Sequence, residues 1–401
     1  MPTLGLGIGI ASPSVKAYSN RFSLALDGTS EYLVVDTNAS LTPAGGLTLS
    51  AWIKVDWSTS PAYPRIIDKN SSSYRLAIDK SSTAKSIFFY VNGQYAKSTA
   101  NALDSDDWQH VVAVFDKSLH GSTESITIYV NGSEVTYGVR QSSGSDVVAT
   151  VDDLHIGSDV GVNKHFAGNI DEVALWSTAL DSQAVTEIYN AGKPTDLSVH
   201  FGDYDNYVDK LEGYWRMGDA TGTDFPIIAD SSGSTLGPEL IKDGTVNSVG
   251  DFNVAGDLAY WTSEDTDNLV PTYDSTNKAM IVTSGTGSTG DYVYYTAAVE
   301  VGATYIFSYK VIARNDSNTV PNVRVGRSIG GVEYASMYSS SLHSQGKIFT
   351  AATNTTCIIA LGVNGDNNSA TFTDITLKKI ISGNPALIQN AHASNIQEDT
   401  P

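Results

Sequence analysis

From residue 21 onward the chain repeats one pattern: short runs with a bulky apolar residue at every second position, separated by turn-forming residues. The runs "RFSLAL", "EYLVV", "LTLSAWIKV", "YRLAI", "SIFFYV", "WQHVVAVF" and "SITIYV" follow one another, and Asp27-Gly28, Asn92-Gly93 and Asn131-Gly132 stand at run ends. Side chains two apart share one face of an extended strand, so each run can bury one side against a second layer. Asn-Gly between two runs marks a hairpin, because both central residues of a type I′ turn need positive φ. A second series follows through "AMIVT", "YVYYTAAVEV", "TYIFSYKVI", "NVRVGRS", "VEYASMY", "KIFTAA", "TCIIALGV" and "TFTDITLKKI". The expected fold is all-β: two antiparallel β-sandwich (jelly-roll) domains in tandem, with one short helix closing the first.

That helix is read from "LDSQAVTEIYNAGKP", residues 180–194. Asp181 can cap its first turn, Ala184, Val185, Ile188 and Tyr189 form an apolar stripe, and Gly192 with Pro194 ends it. The 401 residues exceed the roughly 100–200 of a typical domain. The expected division is 1–20, an anchoring segment; 21–194, the first sandwich; 195–238, a connector; 239–380, the second sandwich; and 381–401, a polar tail.

Forty-four acids oppose 24 bases, a formal charge of −20, so phosphate backbones are repelled and nucleic acid is not an expected partner. The sole cysteine, Cys357, excludes an internal disulfide, and its place in "TCIIALGV" reads as a small buried apolar residue. No stretch approaches the ~20 apolar residues of a membrane-spanning helix. The opening "MPTLGLGIGIASPSV" lacks a basic residue before its glycine-broken apolar run, a poor signal peptide. Leu4, Leu6, Ile8 and Ile10 alternate with glycines there, which on an extended chain gathers bulky groups on one face and bare backbone on the other. Those four residues are the expected assembly anchor.

"FAGNIDEVALW", residues 166–176, carries Asp171 and Glu172 side by side. Neighbours in a strand point to opposite faces, so the pair is expected to be scaffold, with Asp171 accepting hydrogen bonds from a neighbouring turn, rather than two acids flanking one glycosidic bond. "GRSIG", residues 326–330, matches a nucleophile-elbow pattern at Ser328, but a strand rather than a helix follows it, so a hairpin turn is expected. The seven histidines show no zinc-binding spacing. The acidic loops "GDYDNYVDK" and "GDNNS" carry hard oxygens suited to Ca²⁺ and equally read as solvated loops. Trp57 and Tyr63, in a proline-containing loop, are the candidate glycan-stacking residues; Tyr305, Phe307 and Tyr309 alternate on one strand face and are expected in a core.

The ordered series "ALDGTSEYLVV", "LTLSAWIKV", "RIIDKN", "WQHVVAVFD", "IYVNGSEV", "LHIGS" and "FAGNIDEVALWSTALDSQAVTEIYNAG" resembles the laminin-G-like, or concanavalin A-like, lectin and glucanase sandwiches over about residues 21–194. The resemblance implies two packed antiparallel sheets in which the "IDEVALW" strand is structural. Residues from about 239 to 380, opening with "ELIKDGTVNSVGDFNVAGDLAYW" and ending in "FTDITLKKI", resemble the carbohydrate-binding jelly rolls attached to glycanases. This second resemblance implies a structural Ca²⁺ site, for which Asp251 and Asp374 are the positions to inspect. The glycine-rich start, the two sandwiches and "GYWRMGD" with "IADSSG" together resemble structural proteins of bacteriophage particles. The expectation is a non-enzymatic virion protein, in the capsid decoration or the tail or fibre. Residues 1–20 would hold it to other virion proteins, its copies would associate, a trimer being one candidate state, and its rim loops would contact host-surface glycans. The rivals are an extracellular glycan-active enzyme or its accessory lectin, and a bacterial surface adhesin.

Overall fold

The computed structural model describes residues 18–401 apart from 60, 81–84, 104–105, 220–224, 234, 244–246, 265–268, 270, 286–291 and 339–341. It is nearly all-β, with four antiparallel sheets arranged as two sandwiches and one short α-helix. The anchor residues Leu4, Leu6, Ile8 and Ile10 lie outside the described residues.

The first sandwich packs an eight-stranded sheet on a nine-stranded one. The alternation works as read: Leu47, Leu49, Ala51, Ile53 and Val55 of the Leu47–Val55 strand all enter the core between the sheets. Full burial of a Leu, Ile or Val side chain is worth about 1.5–3 kcal/mol. The Asn-Gly hairpins form where expected. Asn92 and Gly93 (φ +37° and +101°) join Ser86–Val91 to Gln94–Ser98, and Asn131 and Gly132 (φ +51° and +75°) join Ile126–Val130 to Ser133–Glu134.

The helix is Ser182–Tyr189, capped by the Asp181 carboxylate on the Ala184 N–H at 2.8 Å and ended by Asn190 in the left-handed region. Its buried stripe of Ala184, Val185 and Ile188 covers the outer face of the eight-stranded sheet, where it meets Val112, Val114, Ala174 and Trp176. That cover explains why the Leu47–Val55 strand is buried almost throughout.

Two expectations about connectivity change. Residues 195–238, read as a connector, supply Leu211–Trp215 to the eight-stranded sheet beside Ala167–Trp176, and Ile227–Ile228 to the edge of the nine-stranded sheet. Residues 381–401, read as a polar tail, turn back to the first sandwich. Ala386–Gln389 lies between Tyr32–Val35 and Ile227–Ile228, and Ile396–Gln397 pairs with Ser23–Asp27. Ala386, Leu387 and Ile388 are buried because those pairings give them an apolar neighbour on each side. The second sandwich is thus inserted into the first.

The crossing point is stitched by polar groups. Asp230 accepts from the Tyr214 N–H at 2.8 Å and the Asn384 N–H at 2.7 Å, while the Asn384 amide donates to Glu212 O at 2.8 Å and Trp215 Nε1 donates to Asn384 O at 2.8 Å. Ile227, Ile306, Ile348 and Leu387 form an apolar cluster across the seam.

The second sandwich packs a six-stranded sheet on a five-stranded one. Tyr305, Phe307 and Tyr309 are buried in its core, as is Cys357, whose thiol burial pushes up to about 12.

Candidate functional site

The five-stranded sheet presents its second face outward, and register decides what that face carries. Val293, Leu361, Val323 and Met337 align across four strands and point to the core, so the next row, Tyr294, Ala360, Arg324 and Ser336, points away from it. The following outward row aligns Gly362, Asn322 and Tyr338. Small residues on the central Thr356–Val363 strand therefore lie between taller side chains, and the face forms a shallow trough.

Its walls are aromatic and hydrogen-bonding. Arg324 lies between two rings, its guanidinium 5.3 Å from the Tyr292 centroid and 5.9 Å from that of Tyr338. Nε donates to Asn322 Oδ1 at 3.3 Å, Nη1 to Gly330 O at 2.8 Å, and Nη2 to the Tyr338 hydroxyl at 2.6 Å. The Asn322 amide in turn donates to the Tyr292 hydroxyl at 3.0 Å. Tyr338 remains 50% exposed, and the Arg324 hydrogen bond lowers its phenol below the ordinary value. Gly330 belongs to "GRSIG", which is part of the turn joining Pro321–Gly326 to Ala335–Tyr338, as expected. With φ +68°, and with any Cβ there only 3.0 Å from the Tyr292 ring, Gly330 lets its carbonyl reach Arg324.

The residues singled out from sequence fall elsewhere. Trp57 is half-buried against the first core, with the Lys85 ammonium 4.9 Å from its ring centroid. Tyr63 is half-buried, and its carbonyl accepts from Arg65 Nη1 at 3.2 Å. Asp251 borders an open acidic hollow of ≈ 650 Å³ with Asp243 and Asp257. Asp374 is exposed at φ +50°, and its neighbour Ile375 donates to Gly250 O at 3.1 Å, so the two chain segments adjoin. Among the described residues no three His, Cys, Asp or Glu side chains converge as a metal-binding group. In the acidic loop 202–210, Asp205 pairs with His200 at 3.0 Å.

Asp171 and Glu172 do not obey the alternation expected of them. A bulge interrupts the pairing of Ala167–Trp176 with Leu47–Val55 between Asp171 and Ala174, and Glu172 adopts φ +48°. Both side chains consequently join one buried polar cluster with Tyr18, Tyr214 and Arg216. Glu172 accepts from the Tyr214 hydroxyl and from Arg216 Nε at 3.2 Å, and Asp171 accepts from the Glu172 N–H at 2.8 Å, not from a neighbouring turn. Burial, with Coulomb repulsion from Glu172, holds the Asp171 carboxyl well above its usual range. The pair fastens strands together at 0% and 2% exposure.

A second hollow, of ≈ 280 Å³, lies at the seam between the sandwiches, bordered by Tyr32, Asp36, Asp153, His155 and Lys347. Burial and the nearby Asp153 raise the Asp36 carboxyl to about 6.

With the fold established, residues 27–186 match the family model described as the concanavalin A-like lectin/glucanases superfamily, laminin-G type. The first sandwich is a concanavalin A-like jelly-roll domain. Over 102 residues the chain is 28% identical to the adhesion G-protein coupled receptor V1 of Danio rerio, which covers 25% of this chain and 2% of that protein. The chain thus spans only a small fraction of the length of that curated relative. Among solved structures, a putative carbohydrate binding protein from Bacteroides ovatus is similar at TM-score 0.41 and 19% identity, over 53% of this chain and 56% of that one. The heptameric SAP-like pentraxin from Limulus polyphemus is similar at TM-score 0.32 and 15% identity, over 43% and 84%. Among the described residues no helix is long and apolar enough to cross a membrane.

Proposed function

We propose that this protein is a non-enzymatic glycan-binding protein, with the outward trough of the second sandwich as its saccharide site. The observation that carries the reading is the row of small residues beside the exposed ring of Tyr338 and the half-buried ring of Tyr294, with a guanidinium held in place next to them. Apolar faces that stack on a sugar ring and a few fixed polar groups that read its hydroxyls are what a carbohydrate site requires. The concanavalin A-like domain, whose family takes its name from lectins and glucanases, is consistent with this use. Trp57 and Tyr63 are proposed as a subsidiary contact on the first sandwich.

The test is a glycan array followed by calorimetry on the best ligand. The Tyr338→Ala and Tyr294→Ala variants should each lose about tenfold or more in affinity, as expected when a contact worth over ~1.4 kcal/mol is removed, and no sugar should be turned over. Failure of the intact protein to bind any glycan, or release of cleaved products, would reject the reading.

Display on a bacteriophage particle belongs to the same proposal, as capsid decoration or as a tail or fibre component, with oligomeric copies held through residues 1–20. It is supported by the "LGLGIG" start beside two sandwiches. Deleting residues 1–20 should abolish incorporation into particles while leaving the sandwiches folded; unchanged incorporation would end it. A structural Ca²⁺ at the hollow bordered by Asp251 completes the proposal. A chelator should then lower the melting temperature, and an unchanged melting curve would count against the ion.

A further inference from the structure

The guanidinium in the trough is not neutralised by an acid. In a chain with twenty more acids than bases, Arg324 forms no salt bridge among the described residues, although Arg327, on the same hairpin, pairs with Glu333 at 3.5 Å. Arg324 is held instead by neutral acceptors: an amide oxygen, a backbone carbonyl and a phenol.

Those bonds also fix its direction. A guanidinium has five N–H groups, one on Nε and two on each terminal nitrogen. The Asn322, Gly330 and Tyr338 contacts use one on each of the three nitrogens. Nη1 and Nη2 each keep one further N–H, and the rings of Tyr292 and Tyr338 limit how the plane can turn. A pair of N–H groups on adjacent terminal nitrogens is the fork that a carboxylate satisfies with two parallel hydrogen bonds.

We infer that the trough selects a carboxylate-bearing sugar, a uronate or a sialate, with Arg324 as the residue that reads the acid. This rests on the glycan-binding reading above and adds the chemical class of the ligand. At ~0.15 M salt the Debye length is about 8 Å, so most of the chain's negative charge is screened at the trough.

The experiment compares matched ligands by calorimetry: tri- to pentasaccharides of galacturonate, glucuronate and sialate, each beside its carboxyl-reduced neutral form. At least one acidic oligomer should bind about 10- to 100-fold more tightly than its neutral counterpart, the range of a charge-assisted hydrogen-bonded contact, and added salt should narrow the gap. Arg324→Gln should bring the acidic and neutral forms to similar affinity, whatever it does to the neutral form. Arg324→Lys, which keeps charge but loses the fork, should fall between. Equal binding of acidic and neutral forms by the intact protein overturns the acid selectivity and leaves glycan binding standing. Absence of binding to both forms overturns the acid selectivity, and the glycan array decides glycan binding itself. Should Arg324→Gln fail to fold, the intact-protein comparison and Arg324→Lys still decide.

Discussion

Glu172 shows how one residue's conformation redirects a whole side-chain cluster. At φ +48° it breaks the alternation of its strand and brings two adjacent carboxylates into the same dry space. Burial raises its carboxyl to about 7 against the opposing influence of Arg216 and the Tyr214 hydrogen bond. A carboxyl whose folded pKa exceeds its ordinary 4.5 keeps its proton after the unfolded chain has lost it. Its contribution to stability is therefore greatest at low pH and declines as pH rises from about 4.5 to about 7. Glu31, raised to about 7 by burial and by its hydrogen bond with Asp27, and Asp36 act in the same direction. Asp27, held below its usual range by hydrogen bonds from Glu31 and Thr29 that outweigh its burial, acts oppositely, and only in more acidic solution. Thermal melts should show stability falling across the window from pH 4.5 to 7, and Glu172→Gln should make that slope shallower. An unaltered slope would mean that Glu172 does not titrate there.

Elements whose signals are local could be read from sequence. The helix start needed only an aspartate before an apolar stripe, and both hairpins needed only Asn-Gly, whereas the helix stops at Asn190, before the Gly192 and Pro194 expected to end it. The Asp181 carboxylate holds the Ala184 N–H and also accepts from the Tyr207 hydroxyl at 3.0 Å, tying the helix start to the segment that covers it. Asp181→Ala should cost about 1 kcal/mol in chemical denaturation, with Asp181→Asn recovering most of the loss at the cap; a neutral Ala substitution would show that the cap is dispensable. The trough was not legible because Tyr294, Ala360, Arg324 and Ser336 come from four strands, and only their register aligns them. Tyr338 and Arg324 carry no spacing signal of their own. Trp57 drew notice as an aromatic in a loop, but sequence could not reveal the lysine over its ring.

For the whole molecule, alternation gave the class of fold and the existence of two sandwiches, while the insertion of one into the other depended on long-range pairing. "ALIQ" at residues 386–389 is too short to name its partners, which lie at Tyr32–Val35 and Ile227–Ile228. Entry and exit of the inserted sandwich meet closely: Ser382 Oγ donates to Gly233 O at 2.7 Å, and Ile228 pairs directly with Ala386. Excising residues 234–382 and joining Gly233 to Gly383 should then leave a hairpin-like link and a first sandwich that unfolds in a single cooperative transition. Circular dichroism and thermal melting would check this, and an aggregated or unfolded product would mean that the first sandwich depends on its insert.

Because Ala386–Gln389 fills an interior place in the nine-stranded sheet, the order of synthesis matters. A ribosome adding about 5–20 residues per second must translate the entire insert before that place can be filled. For roughly ten seconds or more the nascent Tyr32–Val35 strand lacks this neighbour, an open edge of the kind that recruits stray chains. The hazard for this protein thus falls during its own translation, when a chaperone at the tunnel mouth has the most to protect.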